Sequence, residues 1–228
     1  MNFIAQQLAA VRARVAHAEL RFGRAPGSVE LLAASKTQPA AAIHAAYRAG
    51  QTHFGESYAQ EALAKMSTLT ELPLEWHFIG PIQSNKTRDV ATHLDWVQSI
   101  EREKIARRLS EQRATTLPPL NVCIQVNVSG EASKSGVSVT EVAALASLIC
   151  KLPQLRLRGL MAIPAPQSEF EQQRAGFRVL RELYEQLRAT GYELDTLSMG
   201  MTDDLEAAIA EGATLVRVGT AIFGERVG

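Results

Sequence analysis

The sequence is poor in cysteine, has no excess of either charge and contains no long apolar run. Of its 228 residues only two are cysteines, and Cys123 and Cys150 lack the paired spacing of a zinc site or a redox CxxC motif. Lysine plus arginine and aspartate plus glutamate each total 24, so no net charge favours nucleic acid or an anionic membrane. No run approaches the roughly 20 apolar residues of a membrane span. We therefore expect two buried free thiols and no metal, nucleic-acid or membrane partner.

Targeting segments and the common nucleotide and hydrolase motifs are also missing. The first twenty residues contain arginines and a glutamate where a signal peptide would need an uninterrupted apolar core. We therefore expect a soluble, cytoplasmic protein. No GxxxxGK phosphate loop, HExxH zinc motif or GxSxG nucleophile elbow occurs. Nucleotide hydrolysis, zinc proteolysis and elbow-type hydrolysis lack their usual sequence markers.

Short apolar segments alternate with helical patterns along the whole chain. An amphipathic helix opens it and is expected to end near residues 23–26. Eight segments of strand character follow, namely ELLAAS, THFG, EWHFIG, DWVQSI, NVCIQVNV, LRLRGLMAI, DTLSMG and TLVRVGTAIFG. Eight strands separated by single helices favour one (β/α)8 barrel over residues 1–228 rather than an open doubly wound sheet. Since few residues follow the last strand, the N-terminal helix is expected to cover the place of an eighth helix.

Lys36 ends the first predicted strand in LLAASKTQP, where Pro39 can open the next helix. In a barrel its amine would point into the mouth formed by the carboxyl ends of the strands. Partial loss of hydration there leaves more of the amine unprotonated for attack on an aldehyde, which is Schiff-base chemistry. By position alone, however, a solvated surface lysine is the better interpretation. Other residues must decide between the two.

Two loops after the last two predicted strands could bind a phosphate. In SMGMTDD a strand runs through Gly200 into a helix, and Asp203 and Glu206 have the spacing of a capping box. After the last strand, Gly219 permits close approach of the backbone and Thr220 adds a hydroxyl. Barrels often hold phosphate between these two loops. Either loop alone could be only a turn and a helix cap, but both at one mouth favour a phosphate site.

Arg217 alternates with Val216 and Val218 in the last strand, so it faces either the barrel interior or the helical layer. Both are costly places for a guanidinium without a partner. A ligand phosphate or ring nitrogen would serve as the acceptor. A buried ion pair is a comparably good interpretation.

Two further polar residues show only a weak signal of function. His77 lies on an apolar strand in EWHFIG, where a lone histidine is more often a hydrogen-bonded core residue than a catalyst. Lys134 lies in the loop after the fifth strand and is expected to be solvated.

Several motifs together resemble the pyridoxal phosphate homeostasis protein family, whose fold is similar to the barrel domain of alanine racemase. They are LLAASKTQP, HFGESYAQE, WHFIGPIQSNK, the SKSG loop, RLRGLMAIP and SMGMTDDLEAAIAEGATLVRVGTAIFG. The resemblance spans essentially the whole chain, and WHFIGPIQSNK is highly specific to that family.

The resemblance implies a role for each candidate site residue. Lys36 would carry pyridoxal 5'-phosphate (PLP) as an internal aldimine, and Arg217 would approach the pyridine nitrogen. The phosphate would be held by Ser198, Gly219 and Thr220 with backbone near Met201. Ser57 stands in GESY where the family pattern has GENY, so its shorter hydroxyl would need a bridging water. No residue is assigned a catalytic role.

The family implies intracellular homeostasis of PLP. We expect PLP-dependent apoenzymes as recipients and a monomeric state. Alanine racemase uses a second domain to supply a base opposite its lysine, whereas this chain continues only a few residues past its last predicted strand. Racemisation needs proton transfer on both faces, so we expect no dedicated turnover. The alternatives are a PLP-dependent amino-acid racemase, a barrel aldolase using Lys36 on a sugar phosphate, and an interaction protein with a vestigial site.

Overall fold

Eight parallel strands pair in sequence order and close into a barrel in the computed structural model, which describes residues 3–131 and 134–225. The closing contact joins the last strand to the first, with Arg217 opposite Leu32 and Val218 opposite Ala33. The predicted (β/α)8 barrel is therefore confirmed. The strands are β1 Glu30–Ala34, β2 His53–Glu56, β3 Glu75–Phe78, β4 Trp96–Ile100, β5 Leu120–Gln125, β6 Leu155–Met161, β7 Thr196–Ser198 and β8 Leu215–Val218.

Helices cover the outside of the barrel. They are α1 Phe3–Arg21, α2 Ala40–Arg48, α3 Ala59–Thr68, α4 Thr87–His93, α5 Glu103–Gln112, α6 Val142–Ile149, α7 Phe170–Ala189, α8 Leu205–Ala210 and α9 Thr220–Phe223, with short 3-10 turns at Ser84–Lys86 and Val139–Glu141. Ser133 of the SKSG loop, Ala132, Met1, Asn2 and residues 226–228 lie outside the described residues. Among the described helices, none combines the length and apolar character required to cross a bilayer.

The N-terminal helix closes the ring of helices. Leu8, Val11 and Val15 are buried on its inner face, and α1 packs against α2, α8 and α9. This confirms that α1 covers the place where a full eighth helix would lie. The guanidinium of Arg14 forms a salt bridge of 2.9 Å with Glu206 and so fastens α1 to α8.

The end of the chain differs from the sequence expectation. The last strand was predicted to run to Gly224, but β8 ends at Val218 and a one-turn helix follows at once. The amides of Ile222 and Phe223 donate to the carbonyl of Gly219 at 2.9 and 3.0 Å. Local helical hydrogen bonds thus replace the strand ladder after Gly219, and the apolar letters AIF pack as a turn of helix.

The two cysteines occupy different environments. Cys123 in β5 is fully buried, and burial raises the pKa of its thiol to about 12. Cys150 is exposed, so the expectation that both thiols are buried is wrong for this residue. Its position explains the difference, because it caps the end of α6 just after the last buried residue, Ile149.

Candidate functional site

One pocket at the carboxyl ends of the strands collects most of the candidate residues. It has a volume of about 200 Å³ and lies at the end of the barrel where (β/α)8 proteins bind their ligands. The candidate residues on its wall are Lys36, Ser57, Met201, Arg217, Gly219 and Thr220. Ser198, the seventh candidate, lies outside this wall and is fully buried.

The turn that carries Lys36 has an unusual backbone. Lys36 is half-buried, and the amide of Gln38 closes the turn on the carbonyl of Ser35 at 2.9 Å. Thr37 has a φ of 67°, in the left-handed region that costs a non-glycine residue roughly 1–2 kcal/mol. Its amide donates to Glu61 Oε1 at 2.5 Å. A carboxylate on α3 therefore holds the residue next to Lys36 in this conformation.

A buried ion cluster supports the other side of the same turn. The Lys65 ammonium donates to Glu56 Oε1 at 2.7 Å, to Glu61 Oε1 at 2.6 Å and to the Ser35 carbonyl at 2.8 Å. The Ser35 hydroxyl also donates to Glu56 Oε1, at 2.5 Å. Burial raises the pKa of Glu56, and the hydrogen bonds from Lys65 and Ser35 oppose that rise. The neighbours of Lys36 on both sides are thus tied to one cluster.

Arg217 faces the barrel interior rather than the helical layer. Only 4% of it is exposed, while it still forms part of the pocket wall. Its Nη1 donates to Ser198 Oγ at 2.5 Å and its Nη2 to the Ala162 carbonyl at 2.8 Å. These two acceptors are a hydroxyl and a backbone carbonyl rather than carboxylates. Burial lowers the pKa of Arg217 to about 10, so the side chain remains cationic at neutral pH.

Ser198 supports Arg217 from below the pocket. Its hydroxyl accepts from Arg217 and donates to Gln98 Oε1 at 2.6 Å. Both partners are largely or fully buried. The structure therefore places the Ser198 side chain against the guanidinium, and its direct contact with a phosphate stays a prediction.

The two loops predicted to bind phosphate meet at this pocket. Gly219 lies close to β1, since a Cβ added there would lie 3.0 Å from the Ala34 carbonyl oxygen. The first hydrogen bonds of α9 start from Ile222 and Phe223, so the amides of Thr220 and Ala221 precede the first closed turn. Gly200 has a φ of 95°, and a Cβ there would lie 2.6 Å from Ala208 Cβ. Glycine is therefore required for the turn out of β7.

The predicted capping box at the start of α8 is wrong. The helix begins at Leu205 with Asp204 as its N-cap, one residue later than the spacing of Asp203 and Glu206 implied. Asp204 Oδ1 accepts the Met201 amide at 2.6 Å, and Glu206 pairs with Arg14. The hydrogen bond from the Met201 amide to Asp204, rather than a capping box, therefore shapes the loop at Met201.

Lys134 borders a second region of the mouth. It lines a neighbouring pocket with Gln125 and Ser135, and this pocket shares Ile79 and Ile163 with the one that contains Lys36. Lys134 is partly buried, so it is less solvated than a free loop lysine.

Comparison with known proteins decides the family. Residues 7–227 match the alanine racemase N-terminal domain family. The pyridoxal phosphate homeostasis protein of Pseudomonas aeruginosa is 61% identical over 226 residues, which cover 99% of this chain and 97% of that protein. The chain belongs to the pyridoxal phosphate homeostasis protein family. Its N-terminal helix, barrel and candidate pocket are thus those of a member of this family.

Solved structures agree with this placement in the pyridoxal phosphate homeostasis protein family. PipY of Synechococcus elongatus, whose structure was solved with PLP bound, is 38% identical with a TM-score of 0.85, covering 97% of this chain and all of that one. Alanine racemase of Corynebacterium glutamicum is 17% identical with a TM-score of 0.73, covering 98% of this chain and 61% of that one. The second likeness shows a shared barrel fold.

Ser57, where this family member departs from the expected asparagine, is half-buried on the pocket wall. A Cβ at Gly80 would lie only 2.4 Å from the Ser57 carbonyl oxygen. Because Gly80 after β3 has no side chain, the backbone of the turn after β2 can pack directly against it. The short Ser57 side chain adds a hydroxyl to the wall without filling the pocket.

Sequence reasoning missed three polar residues that this pyridoxal phosphate homeostasis protein family member places around its site. They are Glu56, Lys65 and Gln98. A local signal existed for Lys65, because Glu61 and Lys65 have the four-residue spacing of a helical ion pair. No local sequence signal existed for Gln98, because its contact with Ser198 spans 100 residues of sequence.

Proposed function

We propose that this protein binds PLP in the pocket formed by Lys36 and Arg217 and serves intracellular PLP homeostasis. The observation that carries the proposal is the meeting of a lysine amine, a buried guanidinium and a glycine-shaped backbone loop on one pocket wall. Those are the groups that an aldehyde, a ring nitrogen and a phosphate require. The P. aeruginosa relative, a pyridoxal phosphate homeostasis protein, and PipY, whose structure was solved with PLP bound, support the same ligand.

Lys36 is the proposed attachment point. PLP would supply an aldehyde that condenses with the unprotonated Lys36 amine, forming one carbon–nitrogen double bond and releasing one water. The Lys65 cluster and the Glu61 contact to Thr37 fix the turn on both sides of Lys36. The amine is therefore held at the pocket with little backbone freedom left to lose.

Arg217 and the loops after β7 and β8 are proposed to hold the rest of the ligand. The Arg217 guanidinium would donate to the ring nitrogen, and Gly219 and Thr220 would receive the phosphate beside Met201. Ser57 would contact the ligand through a water. Ser198 joins this set through Arg217, which it already contacts.

The proposed role is holding and supplying PLP, without a dedicated reaction. A cationic guanidinium beside the ring nitrogen disfavours protonation of that nitrogen, which weakens the cofactor as an electron sink. Among the described residues on the pocket wall, the charged side chains are Lys36, Asp203 and Arg217. Because Lys36 is proposed to bond to PLP, few charged groups remain on the described pocket wall for proton transfer on both faces of the cofactor. Incubation with L-alanine or L-serine followed by chiral analysis is expected to show no racemisation.

The remaining features of the proposal concern the whole chain. We propose that residues 1–228 act as one monomeric, cytoplasmic PLP-binding unit that passes the cofactor to PLP-dependent apoenzymes. The closed ring of strands and the packing of α1 over its gap support a single folding unit.

Visible absorption tests the proposed attachment. Protein saturated with PLP and freed of excess ligand is expected to show a Schiff-base band that Lys36→Ala abolishes while the circular dichroism spectrum is retained. Lys134→Ala is the matched control, since Lys134 is a second lysine at the same mouth, and it should keep the band. A band that survives in Lys36→Ala and disappears in Lys134→Ala would refute the assignment.

A further inference from the structure

A continuous line of polar side chains crosses the barrel interior to Arg217, and all of them are buried except Glu75 at the far end, whose side chain is 39% exposed. His77 Nε2 lies 2.8 Å from Glu75 Oε1, Gln98 Nε2 lies 2.9 Å from His77 Nδ1, and the Gln98 amide oxygen contacts Ser198. His77, Gln98 and Ser198 are each 0% exposed. We call Glu75, His77, Gln98 and Ser198 the interior chain.

The interior chain joins opposite walls of the barrel. His77 and Gln98 belong to β3 and β4, whereas Ser198 and Arg217 belong to β7 and β8. Strands β4 and β7 are not neighbours in the sheet, so the 2.6 Å bond between Gln98 and Ser198 crosses the lumen. Polar side chains placed there at a high desolvation cost need a reason beyond packing.

Every hydrogen bond in the interior chain has a single consistent direction. Arginine has no acceptor atom, so the Ser198 hydroxyl must accept a hydrogen bond from Arg217 and must donate its own to Gln98 Oε1. The Gln98 amide nitrogen then faces His77, and His77 Nδ1 must accept. The imidazole proton therefore lies on Nε2, which donates to Glu75 Oε1. The arginine at the pocket thus dictates the tautomer of a histidine that is three hydrogen bonds away.

The charges around His77 agree with this direction. Burial lowers the pKa of His77, which favours the neutral ring, and the hydrogen bond from His77 lowers the pKa of Glu75, which favours its carboxylate. The His77 ring also stacks on Trp96, with 5.1 Å between centroids and 8° between planes. The stacking therefore holds the plane of the ring, and burial favours its neutral form.

We propose that His77 and Gln98 are positioning residues, which hold Arg217 through Ser198 in the orientation that presents its remaining N–H groups to the ligand. This inference rests on the proposed PLP site and deepens it. With Nη1 fixed by Ser198 and Nη2 by the Ala162 carbonyl, the plane of the guanidinium is set before a ligand arrives. Such a fixed donor favours a ring nitrogen that accepts a hydrogen bond over one that carries a proton.

Gln98→Met tests the proposal at its central residue. Methionine is of similar length but neither accepts from Ser198 nor donates to His77, so Ser198 loses the partner that orients it. With PLP labelled with 15N in its ring, the ring-nitrogen resonance is expected to move from its wild-type position. Release of PLP to an excess apoenzyme should become at least about tenfold faster, which corresponds to about 1.4 kcal/mol.

Two variants of His77 keep the test independent of folding. His77→Phe removes the acceptor for Gln98 and is expected to reproduce the Gln98→Met changes. His77→Asn returns an acceptor oxygen near the position of Nδ1 and is expected to restore the wild-type resonance and release rate. Restoration by asparagine would not occur if His77 only filled space.

Val97→Ala is the matched control. Val97 precedes Gln98 on β4 and is equally buried, but it packs in the main apolar core with the helices. It should lower stability while leaving the ring-nitrogen resonance unchanged. The proposal fails if Gln98→Met and His77→Phe bind PLP with the wild-type resonance and release rate, or if Val97→Ala moves the resonance as they do. Failure of the PLP site itself is distinguishable, because wild-type protein would then give no bound resonance.

Discussion

At the scale of single residues, the site depends on polar groups that are costly to bury and therefore closely paired. Arg217 is 4% exposed and Ser198 and Glu56 are 0% exposed, yet each has short hydrogen bonds to named partners. Such groups strongly favour one arrangement of the side chains, because any other arrangement would leave them buried without hydrogen-bond partners. The polar side chains around the pocket are therefore preorganised before a ligand enters.

The titration of His77 gives a prediction with a definite sign. Burial lowers its folded-state pKa below 6.5, so below about pH 6.5 the unfolded chain binds this proton more readily than the folded chain. The stability contributed by neutral His77 is therefore complete above that pH and is lost as the pH falls toward the folded-state pKa. His53 acts in the opposite sense, since its hydrogen bond with Glu30 raises its pKa.

Denaturant unfolding at several pH values between about 5 and 8 measures this effect. His77→Asn should lose less stability than wild type on acidification, while His93→Asn, at an exposed position, should follow wild type. Equal acid slopes for wild type and His77→Asn would contradict the account of His77.

At the scale of elements, the turn between β1 and α2 is held by α3. Lys65 on α3 contacts Ser35, Glu56 and Glu61, and Glu61 holds Thr37. Lys36 lies between these anchored neighbours. Helix α3 thus helps to position the turn that carries Lys36, the proposed attachment residue.

Lys65→Met is predicted to destabilise the protein severely. Removing the ammonium leaves the buried Glu56 and the nearby Glu61 without their cation, and breaking a buried ion pair in this way costs about 3–5 kcal/mol. PLP incorporation at Lys36 should also become slower. Arg107→Met is the control, because Arg107 forms an exposed pair with Glu103 that is worth at most about 1 kcal/mol. Chemical denaturation compares the two, and a cost below that of Arg107→Met would contradict the role given to Lys65.

The elements of the barrel could be predicted from local patterns, whereas the contacts of the site could not. Alternating apolar segments and turn residues indicated all eight strands. The predicted ends of β3, β5, β6 and β7 ran two or three residues too far. The largest error was at the end of β8, where AIF forms a helical turn after Gly219. Lys36 and Arg217 became candidates because they end or interrupt apolar strands, but their roles were implied by the family resemblance, since position alone favoured a solvated lysine and left a buried ion pair open for Arg217. The support of Arg217 by Gln98 depends on a bond across the lumen, for which no local pattern exists.

At the scale of the whole molecule, the closed barrel brings strand ends from distant parts of the sequence to one pocket. Lys36 follows β1, whereas Arg217 lies in β8, and the direct pairing of β1 with β8 makes them neighbours at the mouth. The interior chain then connects this mouth with the opposite wall of the barrel. Family membership, shown by relatives over nearly the full length, agrees with a pocket built for PLP.

Borohydride reduction of the PLP-loaded protein, followed by peptide mass mapping, tests the central claim most directly, because it records both the adduct and its attachment residue. Reduction adds hydride to the carbon–nitrogen double bond and makes the link permanent. The account predicts a phosphopyridoxyl mass on the peptide that contains Lys36, and on that peptide alone at stoichiometric loading. A label on the peptide that contains Lys134, or no retained cofactor mass, would contradict it.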